Sequence, residues 1–296
     1  MSSSIEVPVD GGGLVVHRLG SMRPDAPAVL CVHGILATGF TWLAVAAALG
    51  DEITLIAPDL RGRGDSGSLQ GPFGLDAHVG DLLAALDALG LERTVMVGHS
   101  MGAYVVARLA TRHPERVSRL VLVDGGLTIP GSERIDPVPF MRAFFGPTLA
   151  RLKMTFPSLD AYVRWWSQHP AIARSDIDPA VLRAYAEHDL VGTPPQLRSS
   201  VNPAALEPDG TDVLRCTDAR RLTLPVVLLC APRGMLNDRN PMQPLRLVRD
   251  WAAQDDGRRR ALQVPDTNHY TIALGAAGAG MVAAELRAAL AADVTG

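Results

Sequence analysis

The stretch TVMVGHSMGAYVVARLATR, residues 94–112, places a strand signal, a serine between glycines and a helix signal in direct succession. Thr94–Val97 is a short apolar run, and Ser100 follows it in the pentapeptide GHSMG at 98–102. A strand-to-helix turn that exposes a serine strains the serine backbone and accepts only small residues two positions away on either side. The helix N-terminus also favours negative charge that develops beside it. The stretch therefore predicts that Ser100 is a nucleophile.

Strand and helix signals alternate on both sides of this turn. A hairpin signal opens the chain, with runs at Ile5–Val9 and Leu14–Leu19 on either side of Asp10-Gly11-Gly12-Gly13. Short continuous apolar runs, typical of strands buried on both faces, follow at Ala28–Val32, Ile53–Ala57, Thr94–Gly98, Val117–Val123, Leu224–Ala231 and Ala261–Val264. Helical stretches lie near Trp42–Leu49, Leu75–Leu89, Met101–Arg112, Leu245–Ala253 and Met281–Ala291. The pattern predicts an α/β fold with a doubly wound, mostly parallel sheet.

The alternation stops between Gly125 and Leu222. This region shows no clear strand run, and helical pieces are predicted near Pro139–Phe145, Leu159–Gln168 and Ala180–His188. We therefore expect one core, residues 1–124 and 223–296, with a helical cap (lid) at 125–222 inserted after the sixth strand.

Aromatic residues are concentrated in this insertion. They serve either to pack the lid on the core or to line an apolar substrate pocket beneath it. The pocket candidates are Trp165, Trp166 and Phe144, together with Tyr270 from the core.

A serine hydroxyl needs a base within hydrogen-bond reach to act as a nucleophile. Of the eight histidines, His269 follows the last predicted strand, and loops beyond the carboxyl ends of strands are where active-site groups gather in open α/β sheets. His99 adjoins Ser100, but its side chain must point away from the serine hydroxyl. We predict that His269 is the base.

A carboxylate must then orient the imidazole and stabilise its charged form. Asp238, in the loop after Leu224–Ala231, and Asp124, at the end of Val117–Val123, both fall between the serine and the histidine, as the order Ser…Asp…His requires. We prefer Asp238 and keep Asp124 as the alternative. Asp266 is a third choice that we interpret as a turn residue.

Two backbone N–H groups are expected to form an oxyanion hole. One belongs to Met101, directly after the nucleophile, and the other to Ile35, in the loop after Ala28–Val32. Gly34 permits close approach of the backbone there. We interpret His33 as a residue that fixes this loop.

Composition excludes several classes of function. The chain has 296 residues and a formal net charge of −3. It therefore lacks the excess of positive charge expected of a protein that binds nucleic acid or an anionic membrane. It shows no secretion signal at the N-terminus and no apolar run of membrane-spanning length. The three cysteines, Cys31, Cys216 and Cys230, lack metal-ligand spacing and are interpreted as core thiols, which favours a cytoplasmic location.

With these pieces in place, the chain resembles the α/β-hydrolase superfamily, and within it the lidded esterase-like branch. The resemblance rests on His33-Gly34 with Trp42, the loop Pro58–Ser66, the turn at 98–102, the segment Arg112–Val117, Asp124 and Asn268-His269. It implies hydrolysis of carboxylic esters through an acyl-enzyme, with no metal and no organic cofactor. Residues 231–234 lack the family's Gly-x-x-Asp, which keeps Asp124 open as the acid.

The sequence therefore predicts a serine hydrolase that cleaves a small to medium apolar carboxylic ester, its partner being that small molecule. Lactone hydrolysis, C–C bond hydrolysis and peroxyacid formation would use the same three side chains. A ligand-binding protein on the hydrolase scaffold, without catalysis, is the alternative from another class. Serine at position 100 argues against haloalkane dehalogenase and epoxide hydrolase chemistry, which the family performs with aspartate there.

Overall fold

An eight-stranded sheet runs through the core of the computed structural model, which describes residues 2–129, 131–136, 139, 149–254 and 257–294. Its strand order is β1-β2-β4-β3-β5-β6-β9-β10, and β7 pairs with β8 in a separate two-stranded ladder. The strands are β1 (Ser2–Val9), β2 (Gly12–Gly20), β3 (Ala28–Val32), β4 (Thr54–Pro58), β5 (Thr94–His99), β6 (Val117–Val123), β7 (Leu190–Val191), β8 (Arg198–Ser199), β9 (Val226–Cys230) and β10 (Arg259–Gln263).

The sheet is parallel from β4 to β10, and only β1 and β2 run antiparallel to their neighbours. Every residue of β4, β5 and β9 is buried, as expected for strands covered on both faces. The prediction of a doubly wound, mostly parallel α/β sheet is thus confirmed. The carboxyl ends of the parallel strands share one edge, and the loops that carry Ser100, Asp124 and His269 follow β5, β6 and β10 there.

Helices cover both faces of the sheet. Val45 and Leu286, in the helices at 43–49 and 276–294, belong to one cluster of buried apolar residues. Leu82 and Val105, in the helices at 75–88 and 101–112, belong to the other. Among the described helices, none is both long and apolar enough to cross a membrane. The helices are α1 (Leu43–Leu49), α2 (Leu75–Ala88), α3 (Met101–Arg112), α4 (Leu159–Gln168), α5 (Pro179–Asp189), α6 (Leu206–Arg215), α7 (Leu245–Ala252), α8 (Thr271–Leu274) and α9 (Ala276–Val294).

The described part of residues 125–222 adds no strand to the eight-stranded sheet. It contributes α4, α5, α6 and the β7–β8 ladder, of which α4 and α5 lie where the sequence predicts helices. The α6 helix and the short ladder are additions that the sequence pattern does not indicate. The helix expected at Pro139–Phe145 falls outside the described residues, apart from Pro139. That residues 125–222 act as a lid stays a prediction.

A buried ion pair joins α6 to the core. Nη2 of Arg63 lies 2.5 Å from Oδ2 of Asp209, and neither side chain is exposed to solvent. The other carboxylate oxygen of Asp209 accepts hydrogen bonds from the N–H of Gly74 at 2.7 Å and from Nε2 of His78 at 3.1 Å. Burial opposes ionisation, but Arg63 and His78 hold the pKa of the Asp209 carboxyl below its usual value. Removing this carboxylate would leave Arg63 charged and unpaired in the interior.

We expect Asp209→Asn to lower the free energy of unfolding by about 3–5 kcal/mol, because breaking one partner of a buried pair leaves an uncompensated charge. The control is Glu207→Gln, an exposed change in the same helix, which should stay within about 0.5 kcal/mol of wild type. Urea denaturation measures both values. Equal stability of the two variants would contradict the structural role of the pair.

Candidate active site

Ser100 sits at the turn between β5 and α3 with φ 55° and ψ −121°, a conformation that few non-glycine residues adopt. Its N–H donates to the carbonyl of Val123 at 3.0 Å. A Cβ atom at Gly98 would overlap the carbonyl of Gly102, and a Cβ atom at Gly102 would overlap that of Val32. Only glycine fits at both positions, so the sequence GHSMG matches the turn that the chain forms.

A continuous hydrogen-bond chain links Ser100, His269 and Asp124. Oγ of Ser100 lies 3.0 Å from Nε2 of His269, and Nδ1 of His269 lies 2.7 Å from Oδ2 of Asp124. An ionised carboxylate only accepts hydrogen bonds, so Nδ1 carries the proton and Nε2 is left to accept from the serine hydroxyl. All three side chains are buried, at most 8% exposed. This arrangement can draw a proton from the serine and hold it on the imidazole.

Asp124 is held rigidly by the ends of two strands. Its N–H donates to the carbonyl of Leu229 at 2.7 Å, and its Oδ1 accepts from the N–H of Ala231 at 3.1 Å. The residue has φ 45°, so the chain bends sharply as it leaves β6. The second carboxylate oxygen is thereby left to face His269.

Asp238, the acid preferred from the sequence, is not the carboxylate that contacts His269. Its oxygens accept hydrogen bonds from the N–H groups of Asn240 at 2.8 Å and Leu236 at 3.4 Å, both in its own loop. The N–H of Gly234 also donates to the carbonyl of Asp238, so the loop closes on itself and keeps the carboxylate local. The contact falls to the alternative, Asp124. Asp266 is an exposed residue with φ 56°, as expected for a turn.

The loop that carries His269 is fixed from two sides. Nε2 of His99 donates to the carbonyl of His269 at 2.8 Å, so His99 points away from the serine hydroxyl, as predicted. Oδ1 of Asn268 accepts from the N–H groups of Tyr270 and Thr271. Burial holds the pKa of His99 well below its usual value, which keeps the ring neutral. Sequence reasoning gave neither His99 nor Asn268 this positioning role.

The two expected oxyanion donors lie beside Ser100. Met101 is the first residue of α3, so its N–H has no partner within the helix, and the N–H of Ile35 has no acceptor among the described residues. Both residues line the larger of two cavities that adjoin Ser100. The carbonyl of Ile35 accepts from Nε and Nη2 of Arg63, each at 3.2 Å, which fixes the peptide on that side.

His33 holds the loop that contains Ile35. Its Nδ1 lies 2.8 Å from the carbonyl of Gly34, and its Nε2 lies 2.9 Å from the N–H of Leu60. The N–H of Leu60 can only donate, so Nε2 accepts and the proton sits on Nδ1. Burial lowers the pKa of His33 to about 4, so the neutral ring persists well into the acid range.

Two cavities meet at Ser100. The smaller holds about 30 Å³ and is lined by His269 and by the predicted pocket residue Tyr270. The larger holds about 330 Å³ and is mostly apolar. Trp165 and Trp166 are absent from the described lining of both cavities, and Phe144 lies outside the described residues.

A second polar cluster lies away from Ser100 and joins α5 to the core. Nε2 of His188 and Nε2 of His17 lie 2.7 and 3.1 Å from Oδ2 of Asp59, and the carboxylate of Asp65 is nearby. These four side chains have the composition of a metal site, but imidazole N–H groups already satisfy Asp59 as donors. Burial favours neutral His188, yet the hydrogen bond and charge of Asp59 raise its pKa overall. These hydrogen bonds therefore explain the cluster as a contact between α5 and the core.

We expect acid to destabilise the fold through His33. The unfolded chain takes up a proton near pH 6.5, but the folded chain does so only near pH 4, so stability is lost as the pH falls between these values. His33 should contribute about 2 kcal/mol of the loss between pH 7 and pH 5. Urea denaturation of the wild type and of His33→Gln at both pH values measures this contribution.

The control for this experiment is His113→Gln, which replaces a partly exposed histidine. It should retain the wild-type loss of stability, whereas His33→Gln should show a smaller loss. An identical pH dependence in all three proteins would contradict the assignment to His33.

The chain is similar to several known proteins. The family model described as "alpha/beta hydrolase fold" matches residues 27–172. Lipase LipV of Mycobacterium tuberculosis is 36% identical over 185 residues, 61% of this chain and 63% of that protein, so the match spans less than two thirds of the lipase. N-formylmaleamate deformylase of Pseudomonas putida is 33% identical over 187 residues, 60% of this chain and 69% of that protein.

A solved structure extends the likeness to the whole chain. The crystal structure of E-2-(acetamidomethylene)succinate hydrolase superposes with a TM-score of 0.74 over 97% of both chains, at 21% sequence identity. That likeness concerns the fold. The match to the deformylase and the match to the family model show that the chain belongs to the α/β-hydrolase family.

Proposed function

We propose that the protein is a serine hydrolase that cleaves a small to medium apolar carboxylic ester through an acyl-enzyme. The observation that carries the proposal is the hydrogen-bond chain from Ser100 through His269 to Asp124. A buried serine on a strained turn, with a base and a carboxylate aligned behind it, is the arrangement that nucleophilic acyl transfer needs.

Acylation begins when Oγ of Ser100 attacks the ester carbonyl and its proton passes to Nε2 of His269. The carboxylate of Asp124 stabilises the imidazolium that forms, through the hydrogen bond at Nδ1. The N–H groups of Ile35 and Met101 would bind the negative oxygen of the tetrahedral intermediate. The intermediate collapses, the carbon–oxygen bond to the leaving group breaks, and the alcohol takes the proton from Nε2.

Deacylation repeats these steps with water as the nucleophile. His269 accepts a proton from water, the hydroxide attacks the acyl carbonyl, and Ser100 leaves as the alcohol after regaining the proton. The balance is one ester and one water consumed, one carboxylic acid and one alcohol released.

The two cavities support an orientation for the substrate. The leaving group must lie within reach of Nε2 of His269, and His269 lines the smaller cavity of about 30 Å³. We therefore place a small leaving group there and the acyl group in the larger, mostly apolar cavity of about 330 Å³. Burial of an apolar acyl chain in that cavity would supply binding energy.

Residues of the 125–222 segment contribute to both cavities. Tyr185 of α5 lines the smaller one, and Val213 and Leu214 of α6 line the larger one. These contacts support the proposal that the segment covers the site as a lid and selects the substrate.

The names of the relatives support hydrolysis but differ in the bond concerned. One is a lipase and the other an N-formylmaleamate deformylase. The second name favours an N-formyl amide as a second candidate substrate, which the same three side chains would attack by the same steps. Turnover of matched esters and N-formyl amides distinguishes the two.

A fluorophosphonate probe should label Ser100, because the activated serine hydroxyl attacks phosphorus as it would a carbonyl. Mass spectrometry of the digested protein locates the adduct. Ser100→Ala and the heat-denatured wild type serve as controls. Labelling of the native protein no greater than that of Ser100→Ala would refute the proposal.

Asp124→Asn should lower kcat by a factor on the order of 10⁴, because loss of the carboxylate leaves the imidazole in the wrong tautomer and its cation unsupported. The matched control Asp238→Asn should keep activity close to that of the wild type, since Asp238 is bonded only within its loop. Ester turnover and a thermal melt of each variant are measured together. An inactive Asp238→Asn beside an active, folded Asp124→Asn would reverse the assignment.

A further inference from the structure

One glycine lies in the interior of α6, where a glycine weakens a helix. Gly210 is buried and is the fifth of the ten residues of Leu206–Arg215. Glycine inside a helix costs stability relative to alanine, because it loses more backbone freedom on folding. The helical conformation is open to any residue, so the backbone at this position does not require glycine. What lies beside Gly210 therefore explains its presence.

Gly210 adjoins the larger cavity beside Ser100. The cavity is lined by Gly210 and by Val213 and Leu214, three and four positions further along α6. Residues with this spacing share one face of a helix. At about 3.6 residues per turn, Gly210 lies between the other two around the helix axis, about 60° from Val213 and about 40° from Leu214. A side chain at position 210 would therefore extend from the middle of the face that borders the cavity.

Two carboxylates fix which face of α6 borders the cavity. Asp209 pairs with the buried Arg63 of the core. Oδ2 of Asp212 accepts a hydrogen bond from the N–H of Leu75 at 2.9 Å. Asp209 and Asp212 are three residues apart and lie together on a face of α6 that differs from that of Gly210. These contacts oppose rotation of the helix, so a side chain added at position 210 would stay directed at the cavity.

We propose that Gly210 is a specificity-determining residue whose missing side chain leaves room for the acyl chain of the substrate, and which thereby sets the length of acyl chain that the larger cavity accepts. This inference rests on the proposed function, which places the acyl group in that cavity. It refines the substrate from an apolar ester in general to one whose acyl chain extends from Ser100 as far as α6.

Position 210 should affect only the longer acyl chains. Ser100 lines one part of the larger cavity and α6 lines another. An acetyl group is too short to leave the vicinity of the serine, whereas a longer chain continues through the cavity toward α6. The cavity is mostly apolar, so each further methylene that enters it gains free energy from burial. Dependence on chain length therefore distinguishes the role of Gly210 from a general effect on the site.

The test measures kcat/KM for two series of esters. In methyl alkanoates the acyl chain lengthens, and in alkyl acetates the alcohol lengthens. For the wild type, kcat/KM should rise with acyl length by up to about fourfold for each methylene that is buried, until the cavity is filled. The alkyl acetates should show no such rise, because their alcohol lies in the smaller cavity.

The key variants are Gly210→Ala and Gly210→Leu, which fill the space to increasing degrees with strong helix formers. Gly210→Ala should lower kcat/KM about fourfold or more for the longest acyl chains that the wild type accepts, and should leave that for methyl acetate unchanged. Gly210→Leu should restrict turnover to still shorter acyl chains. Neither variant should alter the profile of the alkyl acetates.

The matched control is Thr211→Ala, which places alanine at the next position of the same helix. Thr211 is not among the described residues that line the cavity, so the acyl-length profile of this variant should equal that of the wild type. A thermal melt checks that each variant folds. Gly210→Ala should melt no lower than the wild type, since alanine forms helix better than glycine does.

Three results would overturn the inference. The first is a wild-type acyl-length profile in folded Gly210→Ala and Gly210→Leu. The second is a lower melting temperature of Gly210→Ala with an unchanged profile, which would show that the glycine serves packing. The third is a loss for long alkyl acetates at least as large as that for long methyl alkanoates. Each leaves ester hydrolysis itself intact, because turnover is observed.

Calorimetry on Ser100→Ala separates this inference from the proposed function, since binding does not require turnover. The affinity of Ser100→Ala for methyl alkanoates should rise with acyl length, and the gain for the longer chains should be lost in Ser100→Ala/Gly210→Leu. That result would support the role of Gly210 even if no ester were hydrolysed. An equal gain in the two proteins would count against it.

Discussion

The positive φ of Ser100 is the constraint on which the site depends, because it requires three stretches of backbone to approach closely. Side chains at Gly98 and Gly102 would overlap neighbouring carbonyls, and a Cβ at Gly125 would overlap the carbonyl of Ser100 itself. Gly125 directly follows Asp124, so the contact that lets the chain pass beneath the serine also brings the carboxylate beside His269. The serine turn therefore fixes the position of Ser100, and through Gly125 it also helps to fix that of Asp124.

Buried polar contacts set the position of the loop that carries Ile35. Arg63 donates to the carbonyl of Ile35 and pairs with Asp209 in α6, so one guanidinium links this loop to the 125–222 segment. The contact of His188 in α5 with Asp59 forms a second link. Hydrogen-bonded charges in a low-dielectric interior are directional, so they specify one relative placement more strongly than apolar packing would. These pairs hold α5 and α6 in register with the loops of the core that they contact.

The sequence predicted the sheet well and the carboxylate that contacts His269 poorly, for one physical reason. Continuous apolar runs report local burial, and β3 and β6 agree with their predicted bounds residue for residue. The partner of His269 depends on which strands are neighbours and on how a loop folds. β6 lies between β5 and β9, so Asp124 ends beside both the serine turn and Ala231. Asp238 lies in the loop after β9, where the family's Gly-x-x-Asp is expected. Its loop turns back on itself, however, and hydrophobic periodicity does not reveal such a turn.

The aromatic residues of the 125–222 segment are a second case in which the sequence does not reveal what a side chain contacts. Trp166 packs against the buried Arg151, whose guanidinium lies 5.2 Å from the centre of the indole ring and pairs with Asp189 and Tyr162. A buried cation needs a carboxylate, hydroxyls and aromatic faces around it, so these rings are committed to Arg151. Composition cannot distinguish a ring that surrounds a buried cation from a ring that faces a substrate. Trp166 is engaged with Arg151 and is absent from the described wall of the larger cavity, where Ile129, Val213 and Leu214 supply apolar surface instead. The described part of the 125–222 segment therefore borders this cavity with aliphatic side chains and not with indole rings.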